Sequence, residues 1–381
     1  MVGVTARLAR RPEIAAKPRH HLSHASLLHR VDKPTQLADL DAIIVPTARP
    51  TAYLGYALSV AKDLGCPVVA LCSLRANADE AYQAARRLGV RLIATDVHGG
   101  AVLPRFRTSA LLSRSRFRRR GDLSLKRNVG LALSKMLGWN RIAFLDDDIR
   151  SVRPDDMRAA AGLLDRFNMV GLRNAGFPDN SVVCHALRAV GVKQGMFVGG
   201  GAMAVPAGRT TTFFPDIYNE DWFFLLSEDG LSRIAVTGRM VQEAYEPFRT
   251  ADRAREEELG DCLAEGIYGL LDDGGKVGDA DHDFWAAFLA DRQAMVDRII
   301  AALPGRSNLT DEEKRRIAEA MRASHGRRLF VTPELCVSYL RALEADRAIW
   351  RDHVDRLPTD LKPRSALQHL GLTSSHVHRP R

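Results

Sequence analysis

Three stretches with helical character each stop at a glycine and give way at once to an apolar run, and no other feature constrains the fold as much. Residues 42–45 (Ala-Ile-Ile-Val) read as a buried strand, and residues 51–64 as a helix stopped at Gly65. Residues 67–71 are a second strand, 78–88 a helix stopped at Gly89, and 90–94 a third strand. Residues 124–137 form a helix stopped at Gly138, which leads into the run 142–145. A glycine takes the left-handed conformation that ends a helix at no steric cost. Strands joined through helices build a mainly parallel α/β sheet with right-handed crossovers.

The chain has 381 residues, more than one hydrophobic core usually organises. The pattern divides it into a flexible basic arm (1–33), an α/β region (34–250), a helical accessory region (251–360) and a flexible basic tail (361–381). In the accessory region, helical patterns cover 254–271, 284–303, 310–324 and 333–350. No apolar run reaches the ~20 residues of a bilayer-spanning helix, and no secretory signal is evident, so a cytoplasmic location is expected. Five scattered cysteines without a Cys-x-x-Cys pair are expected to be reduced structural thiols.

The formal net charge of +9 is concentrated. Residues 1–33, 105–127 and 362–381 carry net charges of +5, +8 and +4, which leaves the rest of the chain at −8. Basic charge held in the tails and one loop (Arg114 to Arg120) favours local anion handling over a nucleic-acid surface, and no nucleic-acid partner is expected. The histidines of the arm, His20, His21, His24 and His29, have no neighbouring ligand cluster in the sequence.

Asp146-Asp147-Asp148 closes the strand 142–145 at its C-terminal end, the edge at which open α/β sheets bind ligands. On an extended backbone Asp146 and Asp148 share a face, and two converging carboxylates call for a cation between them. A hard divalent ion with oxygen ligands, Mg²⁺ or Mn²⁺, suits such a pair and commonly retains positions for phosphate oxygens. The following Pro154-Asp155-Asp156 already supplies a helix-start signal, so the triplet is not needed as a cap.

Lys126 and Arg127 stand at a helix start directly after the basic loop, a natural anion site. Gly199-Gly200-Gly201 lets backbone approach a ligand closely. Glu220-Asp221 precedes the apolar Phe223 to Leu226, where a carboxylate can serve as a general base with Trp222 shaping a pocket. Arg249 and the loop 279–283 are weaker candidates, His282 being a possible further metal ligand. No Gly-x-Gly-x-x-Gly follows the first strand and no Gly-Lys-Ser/Thr is present, which disfavours a dinucleotide-binding Rossmann site and a P-loop.

Taken in order, Ile43 to Pro46, Lys126-Arg127-Asn128-Val129-Gly130, Phe144 to Asp148 as an Asp-x-Asp motif, Gly199 to Gly201 and Asn219-Glu220-Asp221-Trp222 resemble a GT-A type glycosyltransferase related to family 2. The resemblance covers about residues 40–230. It implies a Rossmann-like GT-A sheet flanked by helices, and metal-dependent transfer of a sugar, a hexosyl group, from a nucleoside-diphosphate donor, UDP- or GDP-linked, to an acceptor hydroxyl. It implies donor contacts at Pro46, Arg49, Asp96, Lys126, Arg127, Asn128, Asp146, Asp147, Gly200 and Gly201. Metal ligation would fall to Asp146 and Asp148; Asp221 beside Glu220 would activate the acceptor hydroxyl in an inverting member and only orient the acceptor in a retaining one. The long basic insertion before Lys126 departs from the family pattern, as does the absence of a Gln-x-x-Arg-Trp motif with membrane segments, so processive polysaccharide synthesis is not expected. A sugar-phosphate nucleotidylyltransferase shares the sheet and the metal but carries a glycine-rich signature absent around Thr47 to Arg49. A non-catalytic nucleic-acid or anion-binding protein would rely on Arg114 to Arg120 and the tails, with steep salt dependence.

Overall fold

The computed structural model describes residues 20–34, 36–97, 100–178, 181–228 and 230–380. The chain runs through β1 (His29–Arg30), β2 (Ala42–Thr47), α1 (Leu54–Leu64), β3 (Val68–Cys72), α2 (Ala78–Leu88), β4 (Leu92–Asp96), α3 (Arg107–Leu112) and α4 (Leu123–Met136). It continues through β5 (Ile142–Leu145), β6 (Ile149–Val152), α5 (Pro154–Leu163), β7 (Met169–Asn174), α6 (Val182–Ala189), β8 (Ala202–Val205) and α7 (Glu220–Leu225). A short ribbon, β9 (Leu226–Ser227) and β10 (Gly230–Leu231), precedes β11 (Ile234–Gln242). The chain then turns helical through α8 (Ala251–Asp272), α9 (His282–Ala302), α10 (Asp311–Arg328), α11 (Pro333–Asp355) and α12 (Pro363–His369), and returns to the sheet as β12 (Ser375–His378).

The strands lie in the order β1-β11-β7-β8-β5-β2-β3-β4-β12, with β6 joining on β11. β2 pairs in parallel with β3 and β5, and β3 with β4, as the helix-glycine-strand repeat predicts. Gly65, Gly89 and Gly138 stop their helices at φ of 70°, 67° and 71°. β8 is antiparallel to both β5 and β7, so the parallel core is interrupted beside the strand that carries the aspartate triplet.

Helices cover both faces of the sheet, which is why the central strands read as continuous apolar runs. Within β2, Ala42 and Ile44 face one core and Ile43 and Val45 the other; in β5, Ile142 and Phe144 oppose Ala143 and Leu145 in the same way. α1, α2 and α5 fill the second face. The first face is filled by α4 together with Cys262 and Tyr268 of α8, Trp285 of α9 and Tyr339 and Trp350 of α11. The C-terminal helices therefore share a core with the sheet. A smaller core joins α6, α9 and α10.

Both basic ends depart from the expectation of loose segments. Residues 1–19 lie outside the described residues, but His20 and His24 are buried, and β1 pairs in parallel with β11. At the other end α12 buries Leu367 and Leu370, and β12 pairs antiparallel with β4 through Ser375 to His378. Strand β4 would otherwise present an unpaired edge. The basic residues of the tail hid an apolar stripe at 366, 367, 370 and 372, all buried.

Leu370→Ala tests this docking. Its side chain is fully buried, so truncation is expected to cost ~2–5 kcal/mol. A lower urea midpoint at unchanged slope is the expected readout, and a shift under ~0.5 kcal/mol, the range of surface substitutions, would mean that the tail is loosely held.

Candidate active site

After Leu145 the backbone leaves the strand in a turn. The Asp146 N–H donates to Gly201 O at 2.8 Å, and Ile149 N–H donates back to Asp146 O at 3.1 Å. The chain has to reverse here because β6 runs on to pair with β11. The extended geometry expected for 146–148 is therefore corrected, and each carboxylate takes its own environment. Asp147 is buried, accepting from Thr47 Oγ1 at 2.7 Å and from Arg49 Nη1. Asp148 accepts from Arg49 Nη2 at 3.1 Å and Gln242 Nε2 at 3.4 Å. Arg49 thus binds two of the three aspartates.

Asp146 meets Arg127, which reaches it from α4. The buried guanidinium donates through Nη2 to Asp146 Oδ1 at 3.1 Å and through Nη1 to Glu220 Oε1 at 2.7 Å, and it lies 5.4 Å from the centre of the Phe214 ring. Glycine at 200 makes room for it: a Cβ there would stand 2.5 Å from Arg127 Nη1. The Gly200 N–H donates to Asp221 Oδ2 at 2.6 Å, and Trp222 N–H to Asp221 Oδ1 at 3.0 Å. Asp146 of the triplet, the glycine run and the Glu-Asp pair, far apart in sequence, become one constellation around the Arg127 guanidinium, while Arg49 holds Asp147 and Asp148.

The constellation borders a cavity of about 220 Å³ lined by Asp146, Arg127, Gly199 to Gly201, Glu220 and Asp221, with Arg119 and Arg253 among its other walls. Burial pushes Asp146 up to about 6 against the opposing pull of Arg127, and Asp148 and Asp147 add repulsion. Burial likewise pushes Glu220 up to about 7 despite Arg127, and Asp221 is raised for the same first reason. Burial disfavours the Arg127 cation, but Asp146, Glu220 and Asp221 together hold its pKa above the ordinary value. Hard carboxylate oxygens at Asp146 and Asp148, with repulsion still acting on Asp146, fit a divalent ion in donor chemistry. Arg127 and Arg49 supply part of that neutralisation from within the chain.

Several expected donor contacts serve the fold instead. Lys126 is buried and donates to Thr47 O at 2.8 Å and Ser73 Oγ at 2.6 Å, with Asp122 at 3.0 Å, so its ammonium is committed to protein partners. Arg127 is committed to carboxylates and not to an open anion site. Asn128 clasps the backbone of Phe214, donating to its O and accepting from its N–H, both at 2.8 Å. Pro46 sits buried within β2 opposite Leu71. Asp96, expected as a donor contact, accepts from Ala78 N–H at 2.8 Å and Ser374 Oγ at 3.1 Å, anchoring α2 and the tail. His282 pairs with Glu334 at 2.9 Å and borders a different cavity, so it does not complete the triplet's shell. Of the loop 114–120, Arg119 reaches the cavity wall, while Arg116 stacks 4.2 Å from the Phe330 ring centre. Arg253 went unnoticed in the sequence; it bonds Glu257 at 2.6 Å and stacks 3.7 Å from the Tyr245 ring centre.

No protein-family model matches the sequence, and no curated relative matches it. Among solved structures, a mannosyltransferase from Pyrobaculum calidifontis in complex with GDP-Man and Mn²⁺ aligns over 84% of this chain and 89% of its own, at 15% identity and a TM-score of 0.42. The functional reading therefore rests on the residues of the site itself.

The raised carboxyl of Glu220 sets a pH dependence. A carboxyl whose folded pKa lies above its unfolded value favours folding fully below that unfolded value, near 4.5, and the contribution is lost as pH rises toward 7. In Glu220→Gln the fall in melting temperature between about pH 4.5 and 7 is expected to be shallower than in the wild type. Parallel pH profiles of the two proteins would refute the assignment.

Proposed function

We propose that this chain is a glycosyltransferase that moves a hexosyl group from a nucleoside-diphosphate donor to an acceptor hydroxyl. The observation that carries the reading is Arg127 joining Asp146 to Glu220 beneath a cavity whose wall includes Asp221. Such a site offers carboxylates in distinct roles on one scaffold, at the end of a parallel strand. In this reading Asp146 and Asp148 would hold Mg²⁺ or Mn²⁺, which when bound supplies Lewis-acid neutralisation of the leaving diphosphate. Arg119, on the cavity wall, faces the diphosphate oxygens and takes over the role expected of Lys126. Asp221 accepts the proton of the acceptor hydroxyl as that oxygen bonds to the anomeric carbon and the bond to the diphosphate breaks. Its hydrogen bonds from Gly200 and Trp222 fix the carboxylate, and its raised pKa moves it toward neutral pH, where a base is most effective. Glu220, locked on Arg127, keeps the guanidinium beside Asp146.

The test is a melting-temperature panel of UDP-, GDP- and dTDP-sugars with and without Mn²⁺. At ligand 100-fold above its dissociation constant the gain is about 2.7 kcal/mol. Stabilisation by one donor class that depends on the ion is expected, and the absence of any shift would count against the transferase reading. Arg119→Ala is expected to weaken that shift.

Asp221→Asn separates turnover from binding. It is expected to keep the donor-induced shift and to lose ~10²–10⁴ in transfer or donor-hydrolysis rate. Full retained activity would remove Asp221 from the mechanism.

A further inference from the structure

Behind the cavity, three residues from distant parts of the chain meet out of contact with solvent. His20 comes from the N-terminal segment, Cys184 from α6 and Glu265 from α8, and one ligand-type atom from each lies within 4.8 Å of the others. All three are buried. His20 Nδ1 stands 3.6 Å from Glu265 Oε2, and Cys184 Sγ stands 3.8 Å from Glu265 Oε1. Around a tetrahedral ion with bonds of about 2.0–2.3 Å, neighbouring ligand atoms lie roughly 3.3–3.8 Å apart; both separations lie in that range but end on different Glu265 oxygens, so closing the shell takes a rotation of the carboxylate.

The second observation is the His20 ring. Its side chain is 3% exposed, and among the described residues neither ring nitrogen makes a hydrogen bond, Glu265 Oε2 standing beyond that reach at 3.6 Å from Nδ1. A buried imidazole without a partner forfeits the stabilisation its nitrogens had in water. Around the trio, His24 braces the same carboxylate: its Nε2 lies 3.1 Å from Glu265 Oε2 and its Nδ1 2.5 Å from Asp272 Oδ2. That is the outer support a metal-binding carboxylate commonly has.

We propose that His20, Cys184 and Glu265 form a site for a borderline-soft divalent cation, Zn²⁺, distinct from the hard-ion pair Asp146 and Asp148. One imidazole, one thiolate and one carboxylate favour Zn²⁺ over Mg²⁺ or Mn²⁺. On binding, the Cys184 thiol loses its proton to solvent and its sulfur bonds the ion, with no change of oxidation state. The ion ties the N-terminal segment and α6 to α8, next to the cavity that Cys184 and Glu265 also line. The proposal stands whether or not the chain transfers sugars.

Cobalt substitution of the full-length protein tests it directly. After chelator treatment, Co²⁺ is expected to bind at one equivalent per chain, with a thiolate-to-cobalt charge-transfer band that Zn²⁺ abolishes by displacement. The band in the wild-type protein alone reports cysteine ligation, since every described cysteine is a free buried thiol. Cys184→Ser is expected to lose the band, and His20→Gln to weaken Co²⁺ binding at least tenfold, with native circular dichroism as the check on folding. Should either variant misfold, alkylation of the wild type decides the assignment: Zn²⁺ is expected to protect Cys184 selectively. Absence of the band, a band that survives in folded Cys184→Ser, or equal alkylation with and without Zn²⁺ would each overturn the site.

Discussion

The Arg127 guanidinium is the contact through which the site holds together. It is buried in the first turn of α4, and its two terminal nitrogens reach Asp146, at the end of β5, and Glu220, at the start of α7. Removing one partner of a buried ion pair typically costs ~3–5 kcal/mol, because it strands the charge that remains. Here the penalty would fall on three elements at once. The close approach of Gly200 adds a fourth, since any side chain at that position would collide with the guanidinium. Asp221 then docks on the Gly200 N–H, so its position also depends on the arginine, one hydrogen bond removed.

This dependence explains why the motifs were visible in sequence while several of their roles were not. The helix-glycine-strand repeat is a local signal, and α2 and β5 fall on the residues that the pattern marks. The triplet and the Glu-Asp pair were also legible, because charge beside an apolar run is conspicuous. Their partners were not. Lys126 read as an anion ligand at a helix start and Asn128 as a donor contact, yet Lys126 bonds Ser73 and the Thr47 carbonyl, 53 and 79 positions away, and Asn128 the Phe214 backbone, 86 positions away. The triplet's alternation failed for a similar reason, since the turn is imposed by the pairing of β6 with β11, which the residues around 146 do not encode.

The two basic ends show the limit of composition. Net charge describes what a segment carries to the surface and is silent on the few residues that dock it. Four apolar residues between 366 and 372 are enough to seat α12 against the core, and the histidines at 20, 21 and 24 are enough to pin the N-terminal segment to α8 and its C-terminal end. Both attachments cover what would otherwise be costly: an open edge of β4 at one end, and the carboxylates Glu265 and Asp272 at the other.

Charge balance around the cavity carries the functional argument one step further. Its lining holds five acids (Asp146, Glu220, Asp221, Asp261 and Glu265) against three arginines (Arg119, Arg127 and Arg253). The arginines are largely spent: Arg127 on Asp146 and Glu220, and Arg253 on Glu257. Buried acids of this kind stabilise a fold less than apolar residues of the same volume, so packing alone does not account for them. Two of the acids are spent as well, Asp261 on Arg292 and Glu265 on His24, which leaves Asp221, held by the N–H groups of Gly200 and Trp222, as the lining carboxylate without an ion pair among the described residues. On the proposed function, Asp221 is therefore the carboxylate left to meet an acceptor hydroxyl, while the paired acids hold the walls of the cavity in place.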